Sequence, residues 1–157
     1  MSKVNNFLEI LNIRTTSEQR DWIIICDEIL SAIKAETNFA LEKYIQTHLT
    51  ISQSASLEEL IKTVHQDHQA EALQKLRDSL TNLTAVNMTL AFEPNSDFLD
   101  RIIGIVREKT SNQAVIHLSV APNIIGGFVL DFNGKFYDAS LANTLRNMSK
   151  EKNYAGI

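Results

Sequence analysis

The chain has one cysteine, Cys26, two prolines, five glycines and one tryptophan in 157 residues. A single cysteine excludes an internal disulfide framework and suits a reducing compartment. So few prolines and glycines leave no flexible linker, and no internal repeat or low-complexity tract is present. The longest uninterrupted apolar run is residues 22–26, against the roughly 20 apolar residues a membrane-spanning helix requires. A soluble or peripheral protein is therefore expected. The first residues, MSKVNNFLEIL, carry neither the apolar core of a signal peptide nor the arginines of a transit peptide.

Clustered positive charge is missing as well. Residues 1–83 hold eight Lys and Arg against twelve Asp and Glu, and residues 84–157 hold seven of each. Nucleic acid is excluded as a partner on this balance, because binding it needs grouped cations that displace counterions. Nothing resembles a basic membrane-surface helix. The acidic excess of the first half reads chiefly as solvated helix faces, with attraction to a basic partner segment as the functional reading. Catalytic signatures such as Gly-x-Ser-x-Gly, Cys-x-x-Cys and His-Glu-x-x-His do not occur. Cys26 falls on the apolar side of a helix beside Asp27 and Glu28, which suits a buried structural thiol and not a nucleophile.

What the chain does contain is helical periodicity giving way to strand alternation near residue 84. Thr16 and Gln19 have capping-box spacing and open a helix over 17–36, with Trp22, Ile25, Cys26, Ile29, Leu30 and Ile33 along one side. Phe39, Leu41, Tyr44, Ile45 and Leu49 suggest a shorter helix that follows Thr37 and Asn38 and fades over 50–54. Ser56 and Glu59 form a second capping-box pair before Leu57, Leu60, Ile61 and Val64. Leu73, Leu76, Leu80 and Leu83 continue in a new register, and residues 4–12 add a turn. Helices with one apolar stripe each must bury it against one another, so 1–83 reads as a small bundle.

From residue 84 the pattern changes. Val86, Met88, Leu90 and Phe92 alternate with polar or small residues and stop at Pro94, as a half-buried strand does. Asn95 or Ser96 caps a helix carrying Phe98, Leu99, Ile102, Ile103 and Val106, with Asp97 and Asp100 at its positive end and Arg107 and Lys109 at its negative end. Ala114, Ile116, Leu118 and Val120 form a second strand. Gly126 and Gly127 then permit positive φ or close backbone approach, and Phe128–Phe132 is a third strand. Asn133-Gly134 closes a type I′ hairpin, returning along Lys135, Phe136 and Tyr137. Asp138, with Ser140 as competitor, caps a final helix over 139–148 whose stripe is Leu141, Leu145 and Met148. The fold class is α+β: a small N-terminal helical bundle (1–83) and a small C-terminal sheet with covering helices (84–157).

The succession Ile124-Ile125-Gly126-Gly127, strand, Asn133-Gly134 turn, Asp138-Ala139-Ser140 and Leu141 with Leu145 resembles the C-terminal signature of the F-type ATP synthase delta subunit family. In mitochondria the same subunit is the oligomycin-sensitivity-conferring protein. The resemblance implies a non-catalytic stator component, without cofactor or metal, that holds the catalytic head to the peripheral stalk. It implies an N-terminal helical domain gripping the N-terminal helices of the alpha subunits and a C-terminal domain engaging the C-terminal end of the b subunit. Contact with the membrane would be indirect, through the complex, on the cytoplasmic side of a bacterial inner membrane. Ile124, Ile125, Gly126, Gly127, Gly134, Asp138, Ser140, Leu141 and Leu145 would be architectural, with the apolar members mostly in the core and some fraction left for the stalk. The usual Tyr-Ala-x-Ala-Leu opening and six-helix bundle are not matched by residues 1–83, so a shortened N-terminal domain is expected.

Other readings stay open on the residues alone. The E subunit of V/A-type ATPases has a similar Gly-Gly strand, Gly turn and leucine-spaced helix, although Asp-x-Ser at 138–140 favours delta. An unrelated ligand-binding domain would use a polar cleft beside Gly126-Gly127, and an unrelated adaptor would bind a helix through the N-terminal bundle. His65 and His68 have i, i+3 spacing. A zinc site needs three or four ligands, so a polar helix junction is the expectation. Glu93, Asp131 and Asp138 read as a strand end, an outward strand position and a cap. The glycine pair lacks the lysine and following helix of a phosphate loop.

Overall fold

A computed structural model describes residues 6–35, 39–62, 64–110 and 113–154. The chain divides into two compact units, Met1–Leu83 and Thr84–Ile157. The first is helical. It runs α1 (Asn6–Ile10), α2 (Thr16–Ala35), α3 (Leu41–His48), α4 (Ile51–Ile61), a 3-10 turn (Gln66–His68) and α5 (Gln69–Thr81).

The turn expected near residues 4–12 is a short helix with a defined stop. Asn12 takes φ 50°, its N–H donates to the Glu9 carbonyl, and the Ile13 N–H reaches back to the Leu8 carbonyl, which together make a Schellman ending. Leu8, Leu11 and Ile13 are buried. The Trp22 indole donates to the Leu11 carbonyl at 3.1 Å, joining α1 to the long helix.

Two caps differ from their sequence positions. Thr15 and Glu18, not Thr16 and Gln19, form the capping pair of α2. The Thr15 hydroxyl accepts from the Glu18 N–H at 3.3 Å and the Glu18 carboxylate accepts from the Thr15 N–H at 2.9 Å. Glu18 wins because it also binds the Arg14 guanidinium at 2.9 Å, leaving the Gln19 amide free to donate to the Leu80 carbonyl of α5 at 2.6 Å. Likewise α4 starts at Ile51, where Thr50 and Gln53 make a reciprocal capping box. The fade expected over 50–54 is thus a helix start, Ser56 lies inside the helix, and Val64 falls beyond it. Thr37 and Asn38, expected to precede α3, lie outside the described residues.

The bundle core is the predicted stripe of α2 (Trp22, Ile25, Cys26, Ile29, Leu30) packed on α5, with Ile33 at its end only half-buried, and with Leu41, Ile45, Leu57, Ile61, Leu73 and Leu80 buried from the other helices. The Arg77 guanidinium of α5 binds Asp27 of α2 at 2.8 Å. The leucines of α5 therefore serve the interior.

In the second unit, β1 (Thr84–Leu90), α6 (Ser96–Lys109), β2 (Ala114–Val120), β3 (Phe128–Phe132), β4 (Lys135–Asp138) and α7 (Leu141–Tyr154) follow in order. Among the described residues the sheet has four strands in the order β2-β1-β3-β4, with β1 and β2 parallel and the other pairs antiparallel. Asn95 caps α6, accepting from the Phe98 N–H at 2.9 Å. Its stripe, Ile102, Ile103 and Val106, packs on Val86, Met88, Leu90, Ala114 and Ile116, while Phe98, Leu118, Phe128, Leu130 and Phe132 close the rim. Phe92 lies past the end of β1 and is exposed. Alternation along β2 holds only in part. Val115 is buried although it faces away from Ala114 and Ile116, and Val120 is exposed at the end of an edge strand, which has a neighbour on one side only.

Candidate functional site

The hairpin forms as the turn chemistry requires. Asn133 and Gly134 both take positive φ, 50° and 73°, the type I′ arrangement that matches strand twist. β4 then runs one residue further than expected, to Asp138.

Between β2 and β3 the chain makes a tight loop. The Ala121 N–H donates to the Leu90 carbonyl, Ile124 to Ala121 and Gly126 to Ile124. Gly126 and Gly127 have φ 64° and 77°. This is where the loop meets the start of the last helix. The Leu141 N–H donates to the carbonyls of Ile125 and Gly126 at 3.1 and 3.2 Å, and the Ala139 N–H donates to Phe128 at 2.9 Å. A Cβ on Gly127 would run into the Ala139 carbonyl oxygen and lie 3.0 Å from the Ser140 Cα. One on Gly126 would lie 3.3 Å from the Leu141 Cβ. The pair is therefore needed for close approach and for backbone conformation together.

Ser140 and Asp138 divide the capping work. The buried Ser140 is the N-cap, its hydroxyl accepting from the Asn143 N–H at 3.2 Å. Asp138 instead accepts from the Ser140 N–H at 2.9 Å, and the Asn143 amide donates to the Asp138 carbonyl. The Ser140 hydroxyl, then the Ser140 N–H, hold the Asp138 carboxyl below the usual carboxylate range, with Arg146 adding to the effect. A general acid would need the opposite shift. Asn143 was not singled out by the sequence, since its part depends on the turn geometry.

The apolar members of the predicted set behave differently from expectation. Ile124 is half-buried. Ile125 is 65% exposed, Leu141 48% and Leu145 55%, so these three are not in the core, and Met148 of the same helix stripe is 54% exposed. Residues 141, 145 and 148 share one side of α7, and the hydrogen bond from the Leu141 N–H to the Ile125 carbonyl brings residue 125 to the start of that helix. Residues 141–150 contain Arg146 and Lys150 and no carboxylate. The site thus combines a rigid backbone junction (Gly126, Gly127, Asp138, Ser140) with an uncovered apolar stripe flanked by cations. Gly134 stands apart at the hairpin tip, where a Cβ would meet nothing within 4 Å.

The histidines form the polar junction expected of them. His65 is 3.2 Å from Asp67 and His68 is 3.7 Å from Glu71, all four exposed. Among the described residues no group of three or more His, Cys, Asp or Glu is placed to hold a metal ion.

Residues 62–151 match the family model of the ATP synthase delta (OSCP) subunit, more than half of the chain. The chain belongs to the ATP synthase delta (OSCP) subunit family. It is 32% identical over 65 residues to "ATP synthase subunit delta" of Pseudothermotoga lettingae, across 41% of this chain and 36% of that protein. It is 29% identical over 84 residues to "ATP synthase subunit delta, chloroplastic" of Porphyra purpurea, across 53% of this chain and 45% of that protein. The chain spans less than half the length of these two curated relatives. The delta-family match takes in every residue of the Ile124 to Leu145 set, and it begins ahead of α5. No helix among the described residues is long and apolar enough to cross a membrane.

Proposed function

We propose that this delta-family chain is a non-catalytic stator subunit of a rotary F-type ATP synthase, joining the catalytic head to the peripheral stalk by protein contacts alone. The two compact units act as its two domains. The helical one engages alpha-subunit N-terminal helices, and the sheet domain engages the C-terminal end of the b subunit. It works as a peripheral part of the complex on the cytoplasmic side of a bacterial inner membrane. The names of both relatives, each an ATP synthase subunit delta, support the assembly.

The observation that carries the reading is the exposed stripe Leu141, Leu145 and Met148 with Ile125 beside its start. A helix that leaves three large apolar residues in water at i, i+4 and i+7 is suited to helix-against-helix docking. Arg146 and Lys150 favour a partner helix with carboxylates beside its own apolar stripe. The glycine junction and the Ser140 cap fix the direction in which α7 leaves the sheet, and a stator needs that stiffness to resist torque. In this reading Gly126, Gly127, Gly134, Asp138 and Ser140 are architectural.

Calorimetric titration with a synthetic peptide spanning the C-terminal end of the b subunit tests the stalk contact. Saturable binding, abolished by Leu145→Asp in a chain with unchanged circular dichroism, supports it. Equal binding by the Leu145→Asp chain overturns it.

A further inference from the structure

One helix covers only part of a four-stranded sheet. Strands lie about 4.8 Å apart and a helix is about 10–12 Å across, so α6 spans roughly two of the four strands. It lies over β1 and β2, where its apolar stripe packs and the Arg107 Nε donates to the Ala114 carbonyl at 3.3 Å. The register sets Leu130 opposite Met88 and Tyr137 opposite Leu130, so the face beneath α6 continues across β3 and β4. There Phe128, Leu130 and Phe132 are half-buried and Tyr137 is exposed. Phe98 of α6 meets Phe128 with ring centroids 6.2 Å apart. Ile105 lies seven residues further along α6, on the same side of that helix, and is exposed. Between α6 and the β4 edge, then, runs an apolar strip that lacks a covering helix.

The same unit has a helix that lacks a surface. Leu141, Leu145 and Met148 of α7 are in water, and every residue from 144 to 150 is exposed, so α7 does not rest on its own strip. Its first turn is tied down by the Leu141 N–H at the Ile125 and Gly126 carbonyls, which keeps the helix from swinging across. We propose that the strip receives α7 of a second copy of this chain, the two copies exchanging these helices reciprocally about a two-fold axis. Each copy supplies what the other lacks, and the contact closes on itself as a dimer. The lengths agree: the 14 residues of α7 measure about 21 Å, and the 5 residues of β3 about 17 Å. Polarity agrees as well. Lys135, opposite Phe132 at the hairpin end of the strip, suits the negative C-terminal end of the incoming helix, so each α7 enters from the Phe128 end. In the dimer the α7 stripe is out of water, and a stalk helix that binds it displaces the second copy. The proposal uses the second unit's own surfaces and holds whether or not the stalk contact does.

The test is sedimentation equilibrium of the full chain, without stalk peptide, from about 1 μM to about 1 mM, the range in which contacts below the standard interface size dissociate. A monomer–dimer equilibrium is expected. Leu145→Asp disables the helix, and Ile105→Asp or Tyr137→Asp disables the strip. Each substitution enters the dimer twice, so each should raise the dissociation constant by at least about tenfold. All three residues are exposed, and a wild-type circular dichroism spectrum verifies that each variant is folded. An equimolar mixture of the Leu145→Asp and Ile105→Asp chains keeps one intact helix-on-strip contact of the two, and should associate more strongly than either variant alone. A chain that stays monomeric at the highest concentration would overturn the proposal. So would a mixture no stronger than its components, or a dimer that Ile105→Asp and Tyr137→Asp leave unchanged, which would be α7 paired with α7. A dimer without binding of the b peptide removes the stalk contact and leaves this exchange standing; b-peptide binding by a strict monomer does the reverse.

Discussion

Replacing Gly127 by alanine separates two demands that the glycine pair meets. The backbone sits at φ 77°, and an L-residue held in the left-handed region costs about 1–2 kcal/mol. The added methyl also has nowhere to go. It meets the Ala139 carbonyl oxygen and the Ser140 Cα, which are backbone atoms fixed by the Ala139 to Phe128 hydrogen bond. Forcing such a contact to relax costs a further ~1–3 kcal/mol. Gly134→Ala is the internal control. It has nearly the same φ, 73°, and open space around the new methyl, so it pays the backbone cost alone. Gly126→Ala should fall between, because its nearest contact, the Leu141 Cβ at 3.3 Å, is looser than the contacts a methyl on Gly127 would make. With about 4–8 °C per kcal/mol for a domain of this size, Gly134→Ala should lower the melting temperature of the second unit by about 4–16 °C and Gly127→Ala by clearly more. Trp22, the single tryptophan, lies in the first unit, so its fluorescence does not report this. Amide exchange of β1 and β3 does. Equal destabilisation by Gly127→Ala and Gly134→Ala would refute the close-approach argument.

Ser140→Ala removes the cap of α7 and should cost about 1 kcal/mol, read as faster amide exchange in the first turn of that helix. The Asp138 carboxyl is held below its ordinary value of 3.8 by Ser140 and Arg146. Its contribution is fully present above that ordinary value and is lost as pH falls through the depressed folded value. Asp138→Asn should flatten that part of the acid melting profile, and an unchanged profile contradicts the assignment. Burial, with Asp27 adding and Arg77 opposing, pushes the Cys26 thiol up to about 12, so only about one molecule in ten thousand is thiolate at pH 8. A disulfide reagent should react with Cys26 only on unfolding, and prompt reaction with the native chain refutes this. Leu80→Ala, fully buried in the bundle, should cost ~2–5 kcal/mol, seen as earlier loss of Trp22 fluorescence in urea.

Local chemistry made the strongest elements legible. The i, i+3, i+4 recurrence from Trp22 to Leu30 identified the buried side of α2, and Asn133-Gly134 identified the hairpin because few residue pairs accept two positive φ values. Competition between neighbouring signals was harder to read. Thr15-x-x-Glu18 and Thr16-x-x-Gln19 satisfy the same capping rule, and the choice turned on the additional bonds from Arg14 to Glu18 and from Gln19 to Leu80, the latter linking residues far apart in sequence. Thr50 lost out to Ser56 in the sequence because the three serines spread over 50–56 hide where the helix starts. The glycine pair and Asp-x-Ser were visible as a motif, but their meeting around Leu141 is a tertiary fact. Periodicity marked Leu141, Leu145 and Met148 as one side of a helix. It could not say whether protein or water covers that side, which is why Leu141 and Leu145 were expected mostly in the core where the structure leaves them exposed.

The decisive measurement is purification of the tagged full chain from native membranes, in wild-type form and as Leu145→Asp, with quantitative mass spectrometry of the b and alpha subunits. Both subunits are expected with the wild type, and b should be lost from the variant while its amide spectrum stays folded. Recovery of neither subunit by the wild type would contradict the stator role, and undiminished b with the variant would contradict the α7 contact.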